Sequence, residues 1–306
     1  MIKEKSCLIC QSRELVEFLT SIDFRYAEKA RGKKFFLYRC LGCKTLFVNP
    51  RPSMREMGAY YPTPYYKPVF NGLTNIVVDK IMLFYRQRAC DWFSKYRRTG
   101  ELLDVGCGTG DFLVEAKRRG FLVQGIDISS EACRQAEKKG LRVQRRDLKR
   151  GVFGNNVFDV VTMWHVLEHL HNPVEALKTV RKILRKDGIL ILEVPNIESF
   201  SFKLFRSYYF HLDLPRHLFH WSLDSLAFVL KEGGFKIVTV DYPRFNSILS
   251  LFRSFSRWLS EKKMTGWQFW LGSLLIYPGL AFLTLVRLVM PKSKGDILRL
   301  VAKKGK

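Results

Sequence analysis

The sequence predicts an α/β protein whose main domain is a mostly parallel sheet with helices on both faces. Two observations carry this. Between residues 100 and 245, short apolar runs alternate with segments of helical periodicity, a pattern that joins strands by crossovers rather than hairpins. The first apolar run, ELLDV, passes directly into a glycine-rich loop, DVGCGTGDF, which leads from a strand into a helix. Composition agrees. The 306 residues are 47% hydrophobic and 26% charged, enough for one large domain plus an appendage and too apolar for wholesale disorder.

Residues 1–50 hold two C-x-x-C pairs, Cys7 with Cys10 and Cys40 with Cys43, 29 residues apart. Two such knuckles predict a tetrahedral zinc site of four thiolates, closed and therefore structural. A redox role would need one pair at a helix start. Gln11 and Lys44 stand where knuckles often carry glycine. The other cysteines (Cys90, Cys107, Cys133) are scattered, and MIKEKSCLIC lacks the apolar run of a signal peptide, so a reducing cytosol is expected. Asn49-Pro50-Arg51-Pro52 cannot continue a strand and reads as a linker into residues 51–98, whose second half is helical from Asn75.

The core is expected over residues 99–245. ELLDV is a strand and Gly110–Arg119 a helix; FLVQGID is a strand, Ser130–Lys139 a helix, and LRVQ and FDVVTMW are strands. Pro173–Arg185 reads as a helix with proline in its first turn, and GILILEVP as a strand. A helix over Ser222–Glu232 has Ser222 as cap and Gly233-Gly234 as stop, before the strand KIVTVD.

The loop places Asp104, Gly106, Gly108 and Gly110 beside a ligand, and Asp127 ends the next strand, where a carboxylate can accept both ribose hydroxyls. Its G-x-G-x-G spacing differs from the dinucleotide G-x-G-x-x-G. An acid two residues before the first glycine would repel a pyrophosphate but attract a sulfonium and an ammonium. Asp147, after the third strand, can accept from an adenine amino group. Three acids around a neutral-to-cationic nucleoside favour S-adenosylmethionine over NAD.

DVGCGTGDF, GIDIS, RRDL and FDVVTMWHVLEHL, in this order, resemble the successive motifs of class I S-adenosylmethionine-dependent methyltransferases over roughly residues 100–245. The resemblance implies a Rossmann-like, seven-stranded sheet with an antiparallel last strand, here DILRLVAKK at residues 296–304 in the terminal segment 293–306. It implies that Gly106–Gly110 borders the methionine part of the cofactor, that Asp127 binds ribose, and that Asp147 and Leu148 border adenine. His165, Glu168 and His169 form H-x-x-E-H, by spacing alone an inverted zinc-binding motif. In the resembling family this stretch lies beside the cofactor's methionine end, so contact by His165, catalysis, a weakly held metal and plain structure all stay open. Some ubiquinone-pathway O-methyltransferases carry an acid where His165 stands. Beyond the fifth strand, HLDLPRHLFHW gathers His211, Asp213, Arg216, His217 and His220, either a substrate site or a set of mutually satisfied side chains. A hydroxyl acceptor must lose a proton, and His169 and His217 are the candidate bases.

Lys plus Arg outnumber Asp plus Glu by 52 to 28, a net charge of +24 that faces nucleic acid or anionic lipid. In residues 246–292, Ile248, Phe252, Phe255 and Leu259 share one helical face near Arg253, Arg257, Lys262 and Lys263, the pattern of a helix in a headgroup region. The 24-residue apolar run Trp267–Met290 is broken by Tyr277-Pro278-Gly279 and is expected to form a one-sided hairpin. The strand before HVLEH lacks the N/D-P-P-Y sequence of enzymes that methylate base amino groups. The sequence therefore reads as a zinc-ribbon O-methyltransferase at the inner face of a membrane. Its acceptor would be a lipid-linked saccharide, a quinone-like lipid or a related small molecule. A nucleic-acid-binding zinc-ribbon methyltransferase and an NAD-linked oxidoreductase are the rivals.

Overall fold

The computed structural model describes residues 1–24, 32–61, 73–149, 151, 153–243, 245–261, 291 and 295–305. Strands β1 (Leu15–Ile22), β2 (Lys34–Cys40) and β3 (Leu46–Val48) come first, then helices α1 (Met54–Met57) and α2 (Leu73–Phe93). The alternating part is β4 (Gly100–Val105), α3 (Asp111–Arg118), β5 (Phe121–Asp127), α4 (Ser130–Glu137), β6 (Val143–Arg145), β7 (Phe158–Trp164), α5 (Pro173–Ile183) and β8 (Leu184–Pro195). The remaining elements are α6 (Phe200–Phe205), β9 (Phe219–His220), α7 (Leu223–Glu232), β10 (Phe235–Asp241), α8 (Phe245–Glu261) and β11 (Ile297–Lys304).

Seven strands form the large sheet, in the order β10-β11-β8-β7-β4-β5-β6. Neighbours from β8 to β6 run parallel, and the last strand is antiparallel, as the sequence led one to expect. Every residue of β7 up to Met163 is buried, as in a strand covered on both faces. Helix α5 buries Ala176, Leu177, Val180 and Ile183 at helical spacing, with the Asn172 side chain accepting from Glu175 N just ahead of Pro173. Chain order reverses at β4, which lies between β5 and β7. Open α/β sheets bind ligands beyond the carboxyl ends of strands at such a reversal.

By compactness the chain divides into two units. One comprises Met1–Pro62, Val194–Phe228 and Val240–Arg299; the other comprises Thr63–Glu193, Val229–Thr239 and Leu300–Lys306. The second has a core running from Cys90 and Phe93 through Leu102, Leu113 and Val160 to Val301. The first has its own core, including Leu37, Leu46, Tyr60, Phe202, Tyr209 and Leu214.

Within that first unit β1, β2, β3 and β9 make an antiparallel four-stranded sheet, so the cysteine-bearing segment shares its sheet with residues 219–220. The Asn49–Pro52 stretch is tied down rather than free. Glu4 N donates to Asn49 Oδ1 (2.8 Å), Asn49 Nδ2 donates to Glu4 O (3.0 Å), and Arg51 pairs with the Glu4 carboxylate (2.8 Å). The run Trp267–Met290, with its expected hairpin, lies outside the described residues. Among the described residues no helix is long and apolar enough to cross a membrane.

Candidate active site

The carboxyl ends of β4, β5, β6 and β7 bring Asp104, the Gly106–Gly110 loop, Asp127, Asp147, Leu148 and His165 together within one unit. Asp127 organises the loop: its Oδ2 accepts from Gly108 N (2.9 Å) and its Oδ1 from Ser129 N (2.8 Å). Each oxygen keeps a lone pair for a ligand hydroxyl. The glycines do different jobs. At Gly108 (φ +52°) a Cβ would enter open space, whereas at Gly110 (φ +77°) it would sit 2.4 Å from Leu141 and 2.9 Å from Ala136. The first keeps a surface bare and the second allows close packing.

Asp104 is buried, and its Oδ1 accepts from Thr162 Oγ1 at 2.6 Å. Burial pushes this carboxyl up to about 8; the Thr162 bond opposes the shift and the Asp127 charge adds to it. A cation beside Asp104 would reverse the shift, because an opposite charge favours the ionised form. Asp147 is partly exposed, with Lys149 Nζ 4.0 Å away, and Leu148 is buried.

His165 adopts a left-handed backbone (φ +56°), rare outside glycine, and its N–H extends the β7–β8 ladder to Glu193 O (2.8 Å). Its ring lies between two buried carboxylates, with Nδ1 3.3 Å from Glu168 and Nε2 3.2 Å from Glu193. The Tyr85 hydroxyl donates to the same Glu193 oxygen at 2.6 Å. Burial pulls the imidazole's pKa down, but hydrogen bonds and charge from Glu168 and Glu193 outweigh it and raise the value to about 10. Leu167–His169 is a short 3-10 turn rather than an α-helical face and the His165 ring is taken up by its two carboxylates, so the helical H-x-x-E-H arrangement is not formed. Glu168 and His169 still offer ligand atoms within 4.8 Å of each other.

Sequence reasoning missed Glu193 and Tyr85. Glu193 had a signal, a lone carboxylate ending the apolar strand GILILEVP; Tyr85 had none. Because the folded value lies above the ordinary 6.5, the pairing's contribution to stability is complete below about pH 6.5 and fades as pH rises through about 10. A chemical-shift titration, with His165→Gln to assign the signal, is expected to show one imidazole that stays protonated far past neutrality. A His165 ring titrating near 6.5 would remove the carboxylate clamp.

The HLDLPRH segment belongs to the other unit. Arg216 is fully buried there, paired with Asp23 and Asp213 and donating to Tyr60 O (2.6 Å). Asp213 and Arg216 thus act as a structural clamp between the end of β1, residue 60 and this turn. His217 is different. Its Nδ1 lies 2.8 Å from His211 O, and a carbonyl only accepts, so Nδ1 carries the hydrogen. Its Nε2 lies 4.0 Å from an Asp213 carboxylate oxygen. His211 Nε2 meets Ser250 Oγ at 2.6 Å, and His220 is buried in β9. His169 closes the 3-10 turn in the unit that holds the glycine loop, its N–H donating to Val166 O (3.0 Å).

The sulfurs of Cys7, Cys10, Cys40 and Cys43 lie within 4.8 Å of one another, with Cys7–Cys43 at 3.5 Å and Cys10–Cys40 at 3.4 Å. These separations approach the roughly 3.7 Å edge of a tetrahedron with 2.3 Å Zn–S bonds, so the cluster could hold one zinc ion. Gln11 (φ +62°) and Lys44 (φ +60°) take the left-handed turn that glycine usually supplies, and Ile9 N points at Cys7 Sγ (3.4 Å). The hydrogen bond with Cys7 draws the Cys43 thiol down to about 5 against burial, while the same bond and burial push Cys7 up. Burial and the neighbouring thiols push Cys10 up as well.

A parallel sheet reversing at β4, with a glycine loop after β4 and carboxylates in β4, at the end of β5 and just beyond β6, defines a nucleoside-binding class I fold. The chain belongs to the methyltransferase domain family, whose model matches residues 83–240. Its class is that of the S-adenosylmethionine-dependent methyltransferases. It is 32% identical over 124 residues to the ubiquinone biosynthesis O-methyltransferase of Actinobacillus pleuropneumoniae serotype 5b (strain L20), covering 37% of this chain and 51% of that one. An uncharacterized protein of Methanocaldococcus jannaschii is 28% identical over 149 residues, 49% of this chain and 71% of that one. A SAM-dependent methyltransferase from Archaeoglobus fulgidus shares the fold, with a TM-score of 0.50 at 20% identity over 76% of this chain and 100% of that one. The chain spans about half the length of the ubiquinone-pathway relatives it matches.

Proposed function

We propose that this protein transfers a methyl group from S-adenosylmethionine to a hydroxyl of a membrane- or envelope-associated small molecule, such as a lipid-linked saccharide or a quinone-like lipid. The observation that carries the cofactor is Asp127 at the end of β5, accepting from Gly108 N (2.9 Å), where a Cβ on Gly108 would enter open space. Asp127 would hold the ribose, Asp147 and Leu148 would border adenine, and Asp104 with the glycine loop would border the methionine end. Bound there, the cofactor supplies a methyl on a sulfonium, and alignment of the acceptor oxygen provides much of the rate. The hydroxyl's proton needs an acceptor, and His169 and His217 are the two candidates. His165, held as a cation, is unsuited to that task at neutral pH. The likeness to ubiquinone-pathway O-methyltransferases supports a hydroxyl acceptor. The +24 charge and the apolar run Trp267–Met290 support an anionic membrane surface at its cytoplasmic side rather than nucleic acid. Zinc in the four-cysteine cluster would be structural.

Two measurements test this. Asp127→Ala should weaken S-adenosylmethionine binding by about 1.5–3 kcal/mol, the scale of a hydrogen bond to a charged group. An unchanged affinity by calorimetry would take Asp127 out of the site. Mass spectrometry of lipid and glycan extracts made with and without the active protein should show one species differing by a methyl. A methylated nucleic acid instead would transfer the reading to its rival.

A further inference from the structure

We propose that the outward face of α8 docks onto an anionic lipid bilayer. Helix α8 is amphipathic the wrong way round for a packed helix. Phe252, Phe255 and Leu259 lie on one stripe at helical spacing, and such a stripe ordinarily turns inward. Here the described inward positions are Leu251 with two serines, and the serines are held by directional hydrogen bonds. Leu251, Ser250 and Ser254 are buried; Ser250 Oγ meets His211 Nε2 at 2.6 Å, and Ser254 Oγ accepts from Phe210 N at 2.9 Å. Arg257 donates to the carbonyls of Tyr209 (3.2 Å) and Phe210 (2.8 Å). These directional bonds fix the roll of the helix, so the apolar stripe cannot rotate into the core.

The stripe therefore meets the solvent. Phe252 is 52% exposed and Trp258 37%, with Phe255 and Leu259 half-covered. Phe255 stacks on Trp258 (5.7 Å between rings) and meets Phe205 of α6 edge-on (6.3 Å), so these two rings form a ledge beside α6. Leu204, on the helix α6 that packs against α8, is 48% exposed as well.

Charge and chain continuity name the occupant. Lys203 and Arg206 are exposed on and just after α6, and Arg253 stands on α8 itself. From Glu261 the sequence runs through Lys262 and Lys263 into the 24 apolar residues of Trp267–Met290. Aromatic residues beside arginine and lysine suit the headgroup boundary of an anionic bilayer, where rings reach the acyl region and cations meet phosphates. Nucleic acid would use the cations but leave the exposed Phe252 without a partner. The inference deepens the proposed membrane-associated acceptor and rests on it for its biological sense, yet no methyl transfer is needed to test it.

The test is co-sedimentation of the full chain with phosphatidylcholine vesicles, with and without phosphatidylglycerol. The wild type should bind the anionic vesicles, and Phe252→Glu with Trp258→Glu should lower the partition coefficient by about tenfold or more. Thermal stability and S-adenosylhomocysteine affinity should stay unchanged. Phe252→Ser alone serves if the double variant does not fold. Equal partition of wild type and variant would overturn the proposal. So would a variant that loses thermal stability while binding vesicles normally, since the ledge would then be covered by the protein itself. Loss of RNA binding rather than vesicle binding would overturn it too. Vesicle binding through α8 without any methylated lipid would sink the acceptor reading and leave this surface standing.

Discussion

Gly108→Val is expected to fold and yet lose S-adenosylmethionine binding by at least about a hundredfold, some 2.7 kcal/mol, whereas Gly110→Val is expected to lose much of its stability. The two positions are two residues apart in one loop and both have positive φ, so a side chain strains either backbone by roughly 1–2 kcal/mol. The surroundings separate them. A Cβ at 108 meets nothing within 4 Å, so a valine there displaces only a ligand. A Cβ at 110 collides with Leu141 and Ala136, which belong to the buried core around α4. Overpacking of that kind adds about 1–3 kcal/mol to the strain, a large part of an ordinary domain's stability. Calorimetry with the cofactor and a thermal melt check both halves. A Gly108→Val protein that binds normally would move the cofactor off this loop.

Cys40→Ser is expected to abolish metal binding, with elemental analysis finding one zinc per wild-type chain and none in the variant. Structural four-thiolate sites contribute on the order of 10–16 kcal/mol in small zinc peptides, so the loss should unfold what depends on it. Here the dependents reach beyond residue 50. Cys40 ends β2, which pairs with β3, and β3 pairs with β9, with Val48 N also donating to Leu218 O at 2.9 Å. Limited proteolysis should therefore open the 211–221 segment along with the N-terminal residues. The unit carrying the glycine loop has a separate core and should retain cofactor affinity. Finding no zinc in freshly purified wild-type protein would end this account.

The strands and helices of the large sheet were legible because each is written locally, in apolar runs, caps and glycine stops. Ser222 does cap α7 as its sequence implied, exchanging hydrogen bonds with Ser225, and Gly234 ends that helix with φ +80°. The glycine loop and its acids were legible for the same reason. Long-range pairing was not. Nothing near residue 219 announces a strand that joins β3, and two residues are too few for a periodic signal. The role of Arg216 was open because a buried ion pair and a substrate-binding arginine look alike until Asp23, 193 residues away, is seen beside it. The bonds of Ser250 and Ser254 on α8 were not legible either, because serines carry no hydropathy signal.

The pairing of β3 with β9 also bears on how the chain is made. Both metal knuckles have left the ribosome once residue 43 emerges, and zinc could be captured then. The outer edge of β3 stays open until Phe219 arrives, after 172 further residues past its partner Phe47 have been synthesised. During that interval Leu46, Phe47 and Val48 are an apolar strand with unpaired backbone groups, the kind of edge that joins neighbouring chains. A nascent chain stalled anywhere before Phe219 would be a ready substrate for a chaperone, even with all four cysteines already exposed to zinc.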